Sequence, residues 1–174
     1  RQGQKGIGRL SCAALGSLTL LISKKKDQPF VACILDWRLF ENPYLMLHDI
    51  KLPVADFSSK SELSSMLPDM FDTLMGNIWG DGEDKARDAR IKAAWDAFEL
   101  LELEDKKDST KISIEETVIG TCFTDKHFET WDVWNKRSEH GTAMFIGNIH
   151  DDLMAQLSFE SGSEADGTEV RAKE

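Results

Sequence analysis

The chain has 174 residues, a mass of 19.6 kDa and a formal net charge of −10 at pH 7. Its hydrophobic content of 41% and charged content of 30% are typical of a globular domain and exclude collagen, coiled coil and wholesale disorder. The negative charge argues against binding of duplex nucleic acid or a membrane surface through a broad basic face. One domain is expected at this length, with a core that needs neither metal nor disulfide.

The longest apolar stretch runs from Leu10 to Ile22 and is interrupted by glycine, serine and threonine. A helix needs about 20 apolar residues to cross a bilayer, so no membrane span is predicted. A targeting segment removed upstream of Arg1 would not be visible in this sequence.

The cysteines Cys12, Cys33 and Cys122 are odd in number and have spacings that match no zinc pattern. Each lies in an apolar setting, which predicts buried free thiols in a reducing intracellular compartment, the cytoplasm or nucleus. The four histidines also lack metal-ligand spacing. No metal and no cofactor is therefore predicted.

The first third of the chain predicts β-structure. Ser17 to Ser23 and Phe30 to Leu39 are apolar runs separated by a polar turn. The first half of the second run is apolar at nearly every position, which is typical of a strand covered on both faces. Tyr44 to Leu52 follows a turn signal and is predicted as a third strand. The short connections favour an antiparallel meander.

The middle third predicts helices. Ser59 and Glu62 have the capping-box spacing, and apolar residues from Leu63 to Ile78 then recur every three or four positions. Pro68 predicts either a kink or the first turn of a second helix. Residues Glu83 to Leu103 are predicted as an amphipathic helix with an acidic first turn, which suits the helix dipole.

The last third of the chain predicts strands on either side of a short helix. Lys111 to Phe123 is predicted as a strand, and Thr124 or Asp125 can cap a short helix. Thr142 to Ile149 and Leu153 to Glu160 are predicted as the final strands.

These elements predict an α+β fold, a mostly antiparallel sheet of about five to six strands packed on two central amphipathic helices, with a short third helix. Residues 1–160 would form this single domain. Residues 161–174, rich in serine, glycine and acidic side chains, would form a polar acidic tail or an exposed hairpin.

Asp36, Asp49 and Lys51 have a spacing that suggests catalysis. Asp49 and Lys51 would share a face of the predicted third strand. The pattern resembles the Asp…(Asp/Glu)-x-Lys motif of restriction-endonuclease-like nucleases. That resemblance implies that two acids hold Mg²⁺ and that the lysine supports the attacking water. The sequence departs from the family because no acidic helix precedes the first strand and because the net charge repels a polyanion.

Phe128, Trp131 and Trp134 would share one face of the short third helix. Such a helix cannot easily bury three rings, and surplus aromatics are enriched at protein interfaces. These residues are the candidate interaction site, and packing in the core is the alternative.

The leading hypothesis is a non-catalytic protein-interaction domain, a subunit or adaptor of a larger assembly with a protein partner. It rests on finding no nucleotide loop, zinc set, catalytic triad or basic stripe. A metal-dependent hydrolase or nuclease using Asp36, Asp49 and Lys51 is the first alternative, and a small-ligand-binding β-rich domain is the second. Enzymatic activity is left open, with the balance against it.

Overall fold

A computed structural model describes residues 11–121, 123–129, 131–135 and 139–156. The described residues form an α+β fold with one antiparallel sheet of four strands in the order β3-β2-β1-β4. The strands are β1 (Gly16–Lys24), β2 (Phe30–Asp36), β3 (Val54–Phe57) and β4 (Gly141–Ile149).

The hairpin between β1 and β2 is closed by its own polar residues. Asp27 has a φ of 59°, in the left-handed region that aspartate tolerates better than most residues. The Lys24 ammonium donates a 2.7 Å hydrogen bond to the Gln28 carbonyl and lies 4.6 Å from the centre of the Phe30 ring. These contacts set the register in which Leu20 of β1 is opposite Ile34 of β2.

Three longer helices and several short helical segments accompany the sheet. The helices are α1 (Lys60–Trp79), α2 (Lys85–Glu104), α3 (Thr110–Gly120) and the short α4 (Asp125–Phe128). The Ser59 hydroxyl accepts a hydrogen bond from the Glu62 amide at the start of α1, as its capping spacing indicates. Pro68 lies inside α1, which continues through it.

The core lies between the sheet and the helices. Trp95 of α2 is fully buried, and its indole N–H donates a 2.9 Å hydrogen bond to the carbonyl of Asn77 in α1. This bond ties the two helices together where their apolar stripes meet. The stripes contribute these buried side chains: Leu63, Leu67, Met70, Leu74, Ile78, Ile91, Ala94 and Phe98.

The predicted strand from Tyr44 to Leu52 is wrong. This segment contains a short 3-10 helix (Leu47–Asp49), and the third strand is Val54–Phe57. The Asn42 side chain accepts a hydrogen bond from the Tyr44 amide and donates one to the Ala94 carbonyl of α2. The backbone therefore bends towards α2 instead of extending along the sheet.

The predicted strand from Lys111 to Phe123 is also wrong, because this segment forms α3. Ser109 caps the helix by accepting a hydrogen bond from the Ile112 amide. Ile114 is fully buried, whereas Ile119 is exposed. The free energy gained by packing one side of this helix against the core is therefore larger than the free energy by which the isoleucines favour a strand.

The expectation of five to six strands is wrong for the described residues, and the helical part is larger than two central helices and a short third. Residues 151–156 are helical, so the last predicted strand is wrong there. Residues 157–174, with the predicted tail, and Cys122 lie outside the described residues. None of the described helices combines the length and the apolar character needed to cross a membrane.

Candidate functional site

The two faces of the sheet differ in what covers them. Side chains alternate along a strand, so Leu20 and Ile34 share one face, and Leu21 and Cys33 share the other. Leu20 and Ile34 are fully buried in the core. We call the second face, which carries Leu21 and Cys33, the uncovered face.

The uncovered face carries both polar and apolar residues. Its polar residues are Ser17, Thr19, Ser23, Asp56, Thr142 and Asn148. Between them, one row across the four strands is apolar, and we call it the apolar row: Val54, Cys33, Leu21 and Met144. Val54 and Met144 are 61% and 40% exposed. An antiparallel sheet usually carries polar residues on a solvated face, so the apolar row is the part of this face that suits contact with another molecule.

A groove of about 290 Å³ crosses the uncovered face. Side chains of β1, β2 and β4 line it, together with residues just before β1 and just after β2. We call it the apolar groove, and its lining is Cys12, Thr19, Leu21, Ser23, Cys33, Leu35, Trp37, Thr142 and Met144.

The polar groups of the apolar groove are already engaged with one another. The Trp37 indole N–H donates a 3.0 Å hydrogen bond to the Thr19 hydroxyl, which is buried. The hydroxyls of Ser23 and Thr142 lie 3.3 Å apart across β1 and β4. The lining contains no charged side chain. The groove therefore suits an apolar group and offers no acid–base pair for catalysis.

The sulfur atoms of the apolar groove are not set up as nucleophiles. Cys12 and Cys33 are free thiols, and the Cys12 Sγ donates to the Met144 Sδ at 3.0 Å. Burial raises the pKa of the Cys33 thiol above its usual value. The reactive thiolate is therefore disfavoured at neutral pH, which argues for a packing role.

Asp36, the first predicted catalytic residue, is held by an arginine. Its fully buried carboxylate accepts hydrogen bonds of 2.9 and 2.6 Å from the Arg38 guanidinium. Arg38 also donates a 2.7 Å bond to the Ser113 hydroxyl of α3. The group therefore ties the end of β2 to α3.

Asp49 and Lys51 have separate partners. Asp49 accepts bonds of 2.6 and 3.0 Å from Arg90, and the Arg90 hydrogen bond holds the pKa of Asp49 below its usual value. Lys51 donates bonds of 2.6 and 2.8 Å to Asp81 and Glu83, and these hydrogen bonds raise the pKa of Lys51. Both residues lie outside any strand, so strand alternation does not align them.

The structure therefore places Asp36, Asp49 and Lys51 in ion pairs with different partners. Among the described residues, no group of three or more histidine, cysteine, aspartate or glutamate side chains could hold a metal ion. A catalytic role for the three residues stays a prediction.

The three aromatic residues of the predicted interaction site do come together. Phe128 is fully buried, and Trp131 and Trp134 are partly buried against the core. The Trp134 indole N–H donates a 2.7 Å bond to the Phe128 carbonyl, and its ring centre lies 5.0 Å from that of Phe30. This placement favours packing, and an interaction role for these residues stays a prediction.

Sequence reasoning did not identify the apolar groove as a site. One signal was present in β2, whose residues Val31, Cys33 and Leu35 are as apolar as the core residues between them. The contributions of Cys12, Trp37 and Met144 come from distant parts of the chain, and only the fold brings them together.

Comparison with known proteins finds no matching family model, no matching curated protein and no matching solved structure.

Proposed function

We propose that the chain is a non-catalytic protein-interaction domain, a subunit or adaptor of an assembly, and that the apolar groove is where its partner binds. The observation that carries this proposal is the apolar row of the uncovered face, which no described element covers completely. The solvated face of an antiparallel sheet is normally polar along its length, so such a row supports a role in docking.

The open shape of the groove favours an anchor side chain over a whole small molecule. Pockets for small ligands measure about 300–1,000 Å³ and enclose most of the ligand. The apolar groove, at about 290 Å³, has a volume near the lower end of that range, but it is open and would leave much of a ligand exposed. It suits a large apolar anchor of the kind that dominates the energy of protein interfaces.

Charge near the groove specifies the partner further. The hairpin that follows β1 exposes Lys25 and Lys26 next to Asp27, an excess of positive charge in a chain with a net charge of −10. Acidic residues beside the anchor would be attracted to this end of the sheet. The proposed partner is therefore a protein segment with a leucine, methionine or aromatic anchor flanked by aspartate or glutamate.

Selection of displayed random peptides against the purified chain tests this proposal. The matched variants are Cys33→Phe, which fills the groove, and Val31→Phe, which adds the same ring on the same face two residues away and outside the lining. Selected peptides should contain an apolar anchor with acidic flanks. Their affinity should fall at least about tenfold for Cys33→Phe and stay within about threefold for Val31→Phe.

Unchanged melting temperatures of both variants would show that the fold is intact. Selection of no binding peptide, or equal binding of peptides to wild type and Cys33→Phe, would contradict the proposal. A photo-reactive side chain placed at Val31 then extends the test to a natural partner. The partner should become cross-linked to the chain at this position, and the selected peptide should abolish the cross-link by competing for the groove.

A further inference from the structure

The two edges of the sheet are formed by β3 and β4. One side of β4 pairs with β1, from Gly16 opposite Ile149 to Lys24 opposite Gly141. No strand among the described residues pairs with the other side of β4. An edge strand presents backbone N–H and C=O groups that can pair with another chain.

The two edges are protected to different degrees. β3 has four residues, follows Pro53 and carries Asp56, and short length, proline and charge are all features that discourage pairing. β4 has nine residues, GTAMFIGNI, with no charged residue and no proline. In a chain in which 30% of residues are charged, the longer edge lacks charge and proline, and its one irregular residue is Asn148 near the end, with a φ of 48°.

We propose that β4 pairs antiparallel with β4 of a second copy of this chain, so that the two sheets become continuous. When a strand pairs with its own copy, each charged residue near the centre comes close to the same charge on the other strand. Like charges on neighbouring strands are destabilising. The uncharged sequence of β4 avoids that penalty. Two-fold symmetry makes such a contact self-complementary.

Asn148 has a φ of 48°, so the regularly extended part of β4 runs from Gly141 to Gly147, where the register with β1 is unbroken. The overlap of the two strands is greatest when the pairing is centred on Met144, the middle residue of that part. The two copies of Met144 then lie directly opposite one another, with their Cβ atoms about 4.5–5.5 Å apart. This contact uses the backbone edge of β4, whereas the Met144 side chain also lines the apolar groove, so variants of Met144 report on dimerisation and not on binding in the groove.

The contact is expected to be weak. Seven paired residues extend over about 23 Å, which gives a narrow interface, smaller than the roughly 1,200 Å² of stable complexes. Two chains that each carry a net charge of −10 also repel one another. Because the interface itself is uncharged, association should strengthen when salt screens that repulsion.

Sedimentation equilibrium of the full chain, at concentrations from about 10 µM to 500 µM and at low and high salt, tests the proposal. The wild type should form a dimer whose population rises with concentration and with salt. Met144→Lys and Met144→Glu should each raise the dimer dissociation constant at least about tenfold, because each places two like charges side by side. An equimolar mixture of these two variants should form a heterodimer within about threefold of the wild-type constant.

Two controls separate edge pairing from other effects. Met144→Gln, which is polar but uncharged, should dimerise within about threefold of wild type. Cys33→Phe fills the apolar groove without touching the edge and should leave dimerisation unchanged. If peptide selection fails while dimerisation is normal, only the proposed function is rejected. If peptides are selected but the chain does not dimerise, only this inference is rejected.

Hydrogen exchange on the wild type keeps the test valid if the charged variants fail to fold. Exchange of the β4 amides that do not face β1 should slow as concentration rises, whereas exchange in β3 should not change. A wild-type chain that stays monomeric throughout, or outward-facing β4 amides that are already fully protected at the lowest concentration, would overturn the proposal. The second result would mean that the edge is occupied within one chain.

Discussion

Asn77 is a buried polar side chain on which three parts of the structure converge, and we predict that Asn77→Ala is strongly destabilising. The residue is fully buried in α1. Its side-chain oxygen accepts a 2.7 Å hydrogen bond from the Lys51 amide and a 2.9 Å bond from the Arg87 guanidinium. Its amide nitrogen donates a 2.8 Å bond to the Lys51 carbonyl.

The size of the effect follows from the groups that Asn77→Ala would leave without partners. The Lys51 backbone would lose a donor and an acceptor contact, and the buried Arg87 would lose one of its contacts. Each unsatisfied buried group costs about 1–3 kcal/mol, so we expect a loss of about 3–5 kcal/mol. That is a large share of the roughly 5–15 kcal/mol that stabilises a typical domain.

Urea unfolding followed by tryptophan fluorescence measures this loss, because Trp95 is buried beside α1. Asp72→Ala, at an exposed position of the same helix, is the control, and it should change the free energy of unfolding by less than about 0.5 kcal/mol. A loss of less than about 1 kcal/mol for Asn77→Ala would contradict this prediction, since it would mean that water replaces these bonds without penalty.

Three further predictions concern the aromatic cluster, the thiols and the charged residues. Trp134→Ala should lower the unfolding free energy by about 3 kcal/mol or more in urea, because the ring packs against the core; a binding defect without loss of stability would favour the interaction role instead. Dithiothreitol should leave the melting temperature unchanged, because Cys12 and Cys33 are free; a lower value on reduction would reveal a disulfide. Arg90 lowers the pKa of Asp49 below the usual aspartate value near 3.8. The ion pair therefore stabilises the fold fully above that usual value. Its contribution is lost as the pH falls through the lowered pKa of Asp49 in the folded chain. Arg90→Gln should therefore be less stable than wild type at pH 7, with the gap closing in acid melts, and a gap independent of pH would contradict the assignment.

The elements that the sequence predicts well are those whose determinants are local. The start of α1 depends on Ser59 and Glu62, three positions apart, and the body of α1 depends on apolar residues one turn apart. The hairpin of β1 and β2 depends on two apolar runs and the polar turn between them. Each of these signals lies within a short stretch of chain, so no knowledge of distant contacts is needed to interpret it.

The candidate site was less accessible from the sequence. Asp36, Asp49 and Lys51 were grouped by spacing along assumed strands, but Asp49 and Lys51 lie outside any strand. Asp36 pairs with Arg38 two positions along the chain, but the partners of Asp49 and Lys51, Arg90 and Asp81, are 30 or more positions away. Spacing cannot show that a carboxylate is already neutralised by a residue so distant.

The sequence by itself determined the α+β class, the antiparallel β1–β2 pair and the stripes of α1 and α2, because propensity, capping and periodicity act over a few residues. Tertiary structure alone decided that residues 110–120 form a helix, since burial of Ile114 outweighs local β-propensity. It also decided which sheet face stays open and which strands form the edges. Burial and strand order are properties of contacts between distant segments, and the free energy of those contacts is set only when the whole chain packs.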